Sequence, residues 1–194
     1  MMKLRGLYAI TPEGPDLAAK VRAALEGGIA ALQYRAKPPR IDQARELLRL
    51  SRARGVPFIV NDDVELALAL GADGAHLGGE DGDLKEARKR LRGRLLGVSC
   101  YDSPDRAHAA LAAGADYIAF GSVFPSPTKP GAVRAPLSLF DNDFGVPLCA
   151  IGGITLASAP QVIAAGADLV AVISDLFDAP DIAARARDYG KLFA

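Results

Sequence analysis

Short apolar runs alternate along this chain with longer stretches in which alanine and leucine recur at helical intervals among Arg, Lys, Glu and Asp. One phrase repeats: a glycine, a small residue, often an aspartate, then an apolar run. It reads Gly28-Ile-Ala-Ala-Leu-Gln, Gly71-Ala-Asp-Gly-Ala-His, Gly114-Ala-Asp-Tyr-Ile-Ala-Phe and Gly166-Ala-Asp-Leu-Val-Ala-Val, at near-equal spacing. A glycine just past a helix closes it in the left-handed conformation, and an apolar run without alternation suits a strand buried on both faces. Between the phrases lie further runs, Phe58-Ile-Val, Leu95-Leu-Gly-Val and Val146-Pro-Leu-Cys-Ala-Ile, and Leu7-Tyr-Ala-Ile precedes the first.

The pattern predicts eight strands, over 6–10, 29–34, 57–60, 73–77, 95–99, 116–120, 147–151 and 168–173. Helices are predicted over 16–26, 40–54, 64–70, 83–92, 104–113, 156–165 and 179–192. Only 121–136, rich in proline and glycine, reads as a long loop. Strand and helix in alternation imply parallel strands with right-handed crossovers, and eight such units close most simply into a (β/α)₈ TIM barrel. An open doubly wound sheet is the alternative. No linker or low-complexity tract interrupts the pattern, so the expectation is a single catalytic domain over residues 1–194.

Composition narrows the functional classes. The chain has 194 residues, half of them apolar, and 23 basic side chains against 23 acidic ones. That balance argues against a nucleic-acid or anionic-membrane partner, which needs a basic footprint. Two cysteines, Cys100 and Cys149, fit neither a disulfide scaffold nor metal-site spacing. The first twelve residues, broken by Lys3, Arg5 and Pro12, resemble neither a signal peptide nor a membrane span, so a cytoplasmic enzyme is expected.

In such barrels the chemistry sits at the C-terminal ends of the strands. The second strand ends Gln33-Tyr-Arg35-Ala-Lys37, and alternation puts Gln33, Arg35 and Lys37 on one side. Two cations and an amide at a strand mouth suit phosphate or pyrophosphate. A solvated basic turn would look the same. The third strand ends Asn61-Asp62-Asp63, and the fourth ends His76-Leu-Gly-Gly-Glu80-Asp81. Asp62 and Asp81 could each cap the following helix. Beside an anion site, the pair also suits Mg²⁺, which takes one or two carboxylates plus substrate phosphates. His76 is read as orienting its neighbours by hydrogen bonds.

The fifth strand ends Ser99-Cys100-Tyr101, with no general base beside the serine in sequence. The long loop offers Ser126, Thr128 and Lys129, two hydroxyls and a cation, in a segment long enough to act as a lid. Gly152-Gly153 ends the seventh strand and Ile173-Ser174 the eighth, where loops and a short helix form a recurrent phosphate cradle from backbone N–H groups. Two anion sites on one rim fit the joining of two phosphorylated small molecules, with pyrophosphate leaving.

The motifs Tyr8-Ala-Ile-Thr11, Leu32-Gln-Tyr-Arg-Ala-Lys37, Asn61-Asp62, His76-Leu-Gly-Gly-Glu-Asp81, Gly97-Val-Ser99, Ser126-Pro-Thr-Lys129 and Ala150-Ile-Gly-Gly-Ile154 together resemble the thiamine-phosphate synthase family. The resemblance implies a compact TIM barrel. It implies a Mg²⁺-assisted, dissociative condensation of 4-amino-2-methyl-5-hydroxymethylpyrimidine diphosphate with 4-methyl-5-(2-hydroxyethyl)thiazole phosphate. By the same resemblance Gln33, Arg35, Lys37, Asn61, Ser99 and Lys129 hold the pyrimidine diphosphate, and Asp62 and Asp81 the metal. Ser126, Thr128, Gly153, Ile173 and Ser174 hold the thiazole phosphate, with His76 in support. The partners are then two phosphorylated substrates, with no nucleic acid and no membrane; a homo-oligomer is left open. Two positions depart from the family pattern: Tyr101 stands where histidine is common, and Ser126 where threonine is usual. A related thiazole tautomerase would want that histidine, and neither it nor a non-catalytic phosphate-binding barrel would need the two carboxylates.

Overall fold

The computed structural model describes residues 4–79, 81–125 and 133–194. Eight parallel strands close into a barrel in chain order: β1 (Gly6–Ile10), β2 (Ala31–Tyr34), β3 (Phe58–Asn61), β4 (Gly74–Leu77), β5 (Leu95–Tyr101), β6 (Tyr117–Gly121), β7 (Leu148–Ile151) and β8 (Leu169–Val172). β1 pairs with β8 in register Tyr8 to Ala171, which completes the cylinder and excludes the open sheet. The helices are α1 (Leu17–Gly27), α2 (Ile41–Ala53), α3 (Val64–Leu70), α4 (Leu84–Arg90), α5 (Pro104–Ala112), α6 (Ala159–Ala164), α7 (Ser174–Phe177) and α8 (Ile182–Lys191). Between β6 and β7 a 3₁₀ turn, Leu137–Asp141, stands where the other units carry an α-helix. It still seats Leu139 and Phe140 in the core.

The recurrent phrase has a physical basis. Gly28, Gly71, Gly114 and Gly166 all take positive φ, between 69° and 113°, as a left-handed helix closure requires. Three of the phrases follow the glycine with an aspartate that reaches back to the start of the preceding strand. Asp73 accepts from the Phe58 N–H (2.8 Å), Asp116 from Leu96 (2.7 Å) and Asp168 from Leu148 (3.1 Å). Each carboxylate satisfies a backbone donor at the barrel floor that would otherwise lack a partner. The repeated Gly-Ala-Asp therefore builds the floor, leaving chemistry to the opposite end.

Strand residues divide by alternation. Leu7, Leu32, Val60, Leu77, Val98, Phe120 and Val170 face the helices in the large outer core. Tyr8, Ile10, Ala31, Ile59, Tyr117, Ala119, Cys149, Leu169 and Ala171 fill the barrel interior. Two inward glycines make room for bulk. A Cβ on Gly97 would lie 2.1 Å from the Tyr117 ring, and one on Gly74 would meet Leu95. α1 and α8 pack closely at Gly27 and Ala186, holding the last helix against the first.

Candidate active site

Gln33, Asn61, His76 and Ser99 occupy inward positions near the C-terminal ends of β2 to β5. Arg35 and Lys37 follow on the loop beyond β2. That loop is held from two sides: the Thr11 hydroxyl accepts from Arg35 N–H (2.9 Å), and the Tyr34 hydroxyl accepts from Arg40 N–H (2.9 Å). The buried Thr11 thus has a positioning task that the motif Tyr8-Ala-Ile-Thr11 left unexplained.

Neither carboxylate proposed for metal caps a helix. α3 is capped by Asp63, which accepts from Leu66 N–H, and α4 by Asp83, which accepts from Lys85 and Glu86. Asp62 and Asp81 are thereby released to the mouth. Asp62 takes φ 63°, a left-handed conformation that aspartate tolerates better than most side chains, and its N–H donates to the His76 carbonyl (2.8 Å). The Lys37 ammonium lies 3.0 Å from its Oδ2. Asp81 accepts from the Gly78 N–H (2.6 Å) and shares a hydrogen bond with Asp62.

Burial pushes the Asp62 carboxyl up, but Lys37 and the Asp81 hydrogen bond more than offset it, leaving it below the usual carboxylate range. Asp81 is held above that range by burial and by its acidic neighbour, against the Gly78 N–H. Together they line a cavity of about 210 Å³ with Lys37, Asn61, Tyr34 and Ala36. Two carboxylates, hard oxygen ligands, beside a lysine fit Mg²⁺, which completes its shell with water and phosphate oxygens. Among the described residues, no cluster of three or more His, Cys, Asp or Glu side chains offers a site of another kind.

His76 is buried and hydrogen bonded at both ring nitrogens, Nδ1 to the Tyr117 hydroxyl (3.0 Å) and Nε2 to Ser99 Oγ (2.9 Å). The sequence shows no base beside Ser99, yet the fold supplies this one from the neighbouring strand. Burial pushes the imidazole down to about 4, against the pull of the Asp62 charge. A neutral ring so reluctant to take a proton is a poor general base, so Ser99 is not activated as a nucleophile. The thiols are inert for a related reason: burial pushes Cys100 up to about 12, and Cys149 is raised as well. Tyr8 and Tyr117, which extend the His76 contacts across the barrel, sit within apolar runs of the sequence, where nothing local marks their hydroxyls.

At the same end, Gly152 and Gly153 follow β7 with φ 102° and 63°. A Cβ on Gly153 would lie 2.2 Å from the Pro125 carbonyl, so the loop after β6 packs directly over this turn. Ile173 links β8 to α7, whose first residue is Ser174. The Asp175 carboxylate ties these segments together, accepting from Leu156 N–H (3.1 Å), Arg185 (2.7 Å) and Tyr189 (2.8 Å). Asp175, Arg185 and Tyr189 carry no local sequence signal, because their partners are distant along the chain. Ser126, Thr128 and Lys129 lie outside the described residues.

Tyr101 ends β5 at φ 55°, after a register shift, and is partly exposed. Its hydroxyl accepts from Gly79 N–H (3.0 Å), and the Arg106 guanidinium lies over its ring at 5.0 Å. It thus braces the loop that carries Asp81.

A larger concavity, about 920 Å³, opens at the other end of the barrel among Arg52, Arg88, Arg92, Arg94 and Asp116. Its guanidinium groups are largely committed: Arg52 to the Gly71 carbonyl (2.6 Å), Arg88 to Asp116 (2.7 Å) and Arg94 to the Ala72 carbonyl. They brace helix ends and strand starts, and the smaller cleft is the candidate site.

Fold and rim together define a class, a (β/α)₈ barrel with a cation–carboxylate cluster at the ends of β2–β4 and a glycine turn after β7. The family model described as thiamine monophosphate synthase matches residues 7–176, and the chain belongs to that family. It is 61% identical to a thiamine-phosphate synthase of Aromatoleum aromaticum, over 98% of this chain and 97% of that one. It is 56% identical to that of Chromobacterium violaceum, over 95% and 94%. Among solved structures, a thiamine phosphate pyrophosphorylase from Pyrococcus furiosus superposes with TM-score 0.87 at 34% identity, covering 98% of this chain and 96% of that one. A 3-hexulose-6-phosphate synthase, at 20% identity and TM-score 0.75, shares the fold alone.

Proposed function

We propose that this barrel, acting as a single catalytic domain, joins 4-amino-2-methyl-5-hydroxymethylpyrimidine diphosphate to 4-methyl-5-(2-hydroxyethyl)thiazole phosphate, yielding thiamine phosphate and pyrophosphate. The observation that carries the reading is the group Lys37–Asp62–Asp81, drawn from three successive strand ends and freed of helix capping. Arg35, Lys37, Gln33, Asn61 and Ser99 face the diphosphate, and the family resemblance gives Lys129 the same task. Asp62 and Asp81 would hold Mg²⁺, which would supply positive charge to offset that of a leaving diphosphate.

The reaction needs no protein nucleophile, consistent with the inert thiols and the weak base beside Ser99. The bond between the pyrimidine methylene carbon and the diphosphate oxygen breaks first, and its electron pair leaves with pyrophosphate. The amino-substituted ring spreads the positive charge left on that carbon. The thiazole nitrogen then donates its lone pair to form the C–N bond. Gly153, Ile173 and Ser174, with Ser126 and Thr128, hold the thiazole phosphate so that this nitrogen faces the methylene carbon. Positioning and charge stabilisation supply the rate.

Replacing Asp62 by alanine separates the two half-sites. Turnover should fall by about 100-fold or more, since metal-borne charge stabilisation contributes several kcal/mol. Thiazole-phosphate affinity, read by isothermal titration calorimetry, should change less than about twofold, because Asp62 follows β3 whereas Gly153 follows β7, on the opposite side of the closed barrel. Comparable weakening of thiazole-phosphate binding would contradict the two-site assignment.

A further inference from the structure

Five side chains from five strands meet inside the barrel. Gln33 Nε2 donates to the Tyr8 hydroxyl (2.8 Å), which lies 2.7 Å from the Tyr117 hydroxyl. Tyr117 reaches His76 Nδ1 (3.0 Å), and His76 Nε2 reaches Ser99 Oγ (2.9 Å). Gln33, Tyr8, Tyr117 and His76 are all buried, and among the described residues no buried side-chain N or O lacks a partner. We infer that these contacts form a hydrogen-bond chain of one polarity, in which Tyr8 and Tyr117 are positioning residues that hold His76 as its Nε2–H tautomer and make the Ser99 hydroxyl a donor toward the mouth.

Counting protons carries the inference. Each tyrosine hydroxyl has one proton to give. Tyr8 accepts from the Gln33 amide, so its own proton goes to Tyr117. Tyr117, having accepted, gives its proton to His76 Nδ1, which must then be unprotonated. A neutral imidazole keeps its proton on the other nitrogen, so Nε2–H donates to Ser99 Oγ. The Ser99 proton cannot return to His76 and points to another acceptor. A diphosphate oxygen is such an acceptor. This last step rests on the proposed function; the chain itself does not.

The polarity also requires the Gln33 amide to present Nε2 to Tyr8, which turns Oε1 away from it. Were the amide reversed, every proton in the chain would reverse as well: Tyr117 would accept from Nδ1–H and Ser99 would donate to Nε2. The two states therefore differ at one observable place, the His76 tautomer. Gly97 is part of the device, because its missing Cβ is what admits the Tyr117 ring.

The chain contains only two histidines, and His108 is exposed on α5, so His108→Gln assigns the His76 resonances. In substrate-free protein labelled with ¹⁵N-histidine, at pH 7, His76 should show a protonated Nε2 and a bare, hydrogen-bonded Nδ1. Tyr117→Phe should move Nδ1 toward the shift of an unbonded nitrogen, and Tyr8→Phe should move it less in the same direction. A wild-type Nδ1–H tautomer, a charged ring, or an Nδ1 resonance indifferent to Tyr117→Phe would overturn the chain. The wild-type spectrum decides even if a variant fails to fold. Kinetics test the link to function separately: Tyr117→Phe should raise KM for the pyrimidine diphosphate about five- to tenfold, the worth of one hydrogen bond, and leave that for thiazole phosphate within about twofold. A shifted Nδ1 with unchanged KM would leave the chain standing and remove Ser99 from the diphosphate site.

Discussion

His76 shows how one residue can carry opposite obligations. Its ring satisfies two hydrogen-bond partners deep in the barrel, yet burial makes protonation costly and holds its pKa at about 4. The unfolded chain has no such constraint and takes up a proton near the ordinary value of 6.5. Between these values the unfolded state binds more protons than the folded one, so stability rises with pH across the window. The contribution is fully present above about 6.5 and is lost as pH falls toward 4. Its size is on the order of 3 kcal/mol. Urea denaturation at pH 7 and pH 4.5 should show this loss, and His76→Gln should flatten it while lowering stability at both. An unchanged slope in the variant would show that another group controls the acid limb. Asp62 illustrates a different division of labour: it leaves capping to Asp63 and keeps its carboxylate for the mouth.

The loops after β6 and β7 form one unit in their packing. Gly153 combines positive φ with a backbone carbonyl 2.2 Å from where a Cβ would stand, so an alanine must displace the β6 loop. Gly153→Ala should therefore weaken thiazole-phosphate binding by about tenfold or more, given strain of about 1–3 kcal/mol, while the melting temperature falls only a few degrees. Calorimetry and a thermal melt check both parts, and unchanged affinity would place the thiazole phosphate elsewhere. At this scale much was legible in advance. Glycine closures and apolar runs mark eight strands within about two residues of their observed ends, because both signals are local. The 3₁₀ turn at Leu137–Asp141 was not legible, since proline and short spacing hide an element that only packing of Leu139 and Phe140 stabilises. The strand-end residues Gln33, Lys37, Asp62 and Asp81 could be placed from topology. The role of Tyr117 could not, because it depends on a cross-barrel neighbour more than 40 residues distant and on a glycine that vacates space.

The whole molecule has equal numbers of acidic and basic side chains, yet its ends are unlike. At the floor, Asp73, Asp116 and Asp168 are spent on backbone donors, and Arg52, Arg88 and Arg94 on carbonyls or carboxylates. At the mouth, Lys37, Asp62 and Asp81 are held against one another without capping work, which is the arrangement a diphosphate and its metal would reorganise. Closure of the barrel makes this division possible, since every strand end on one side opens into the same cleft. No helix among the described residues is long and apolar enough to cross a membrane. The proposed reaction turns on one chemical event, metal-assisted departure of pyrophosphate with C–N bond formation. Pyrophosphate release should therefore be measured with both substrates, with Mg²⁺ and after its removal by chelation. Stoichiometric release of pyrophosphate and thiamine phosphate that requires Mg²⁺ is the expected result; no metal-dependent pyrophosphate would contradict it.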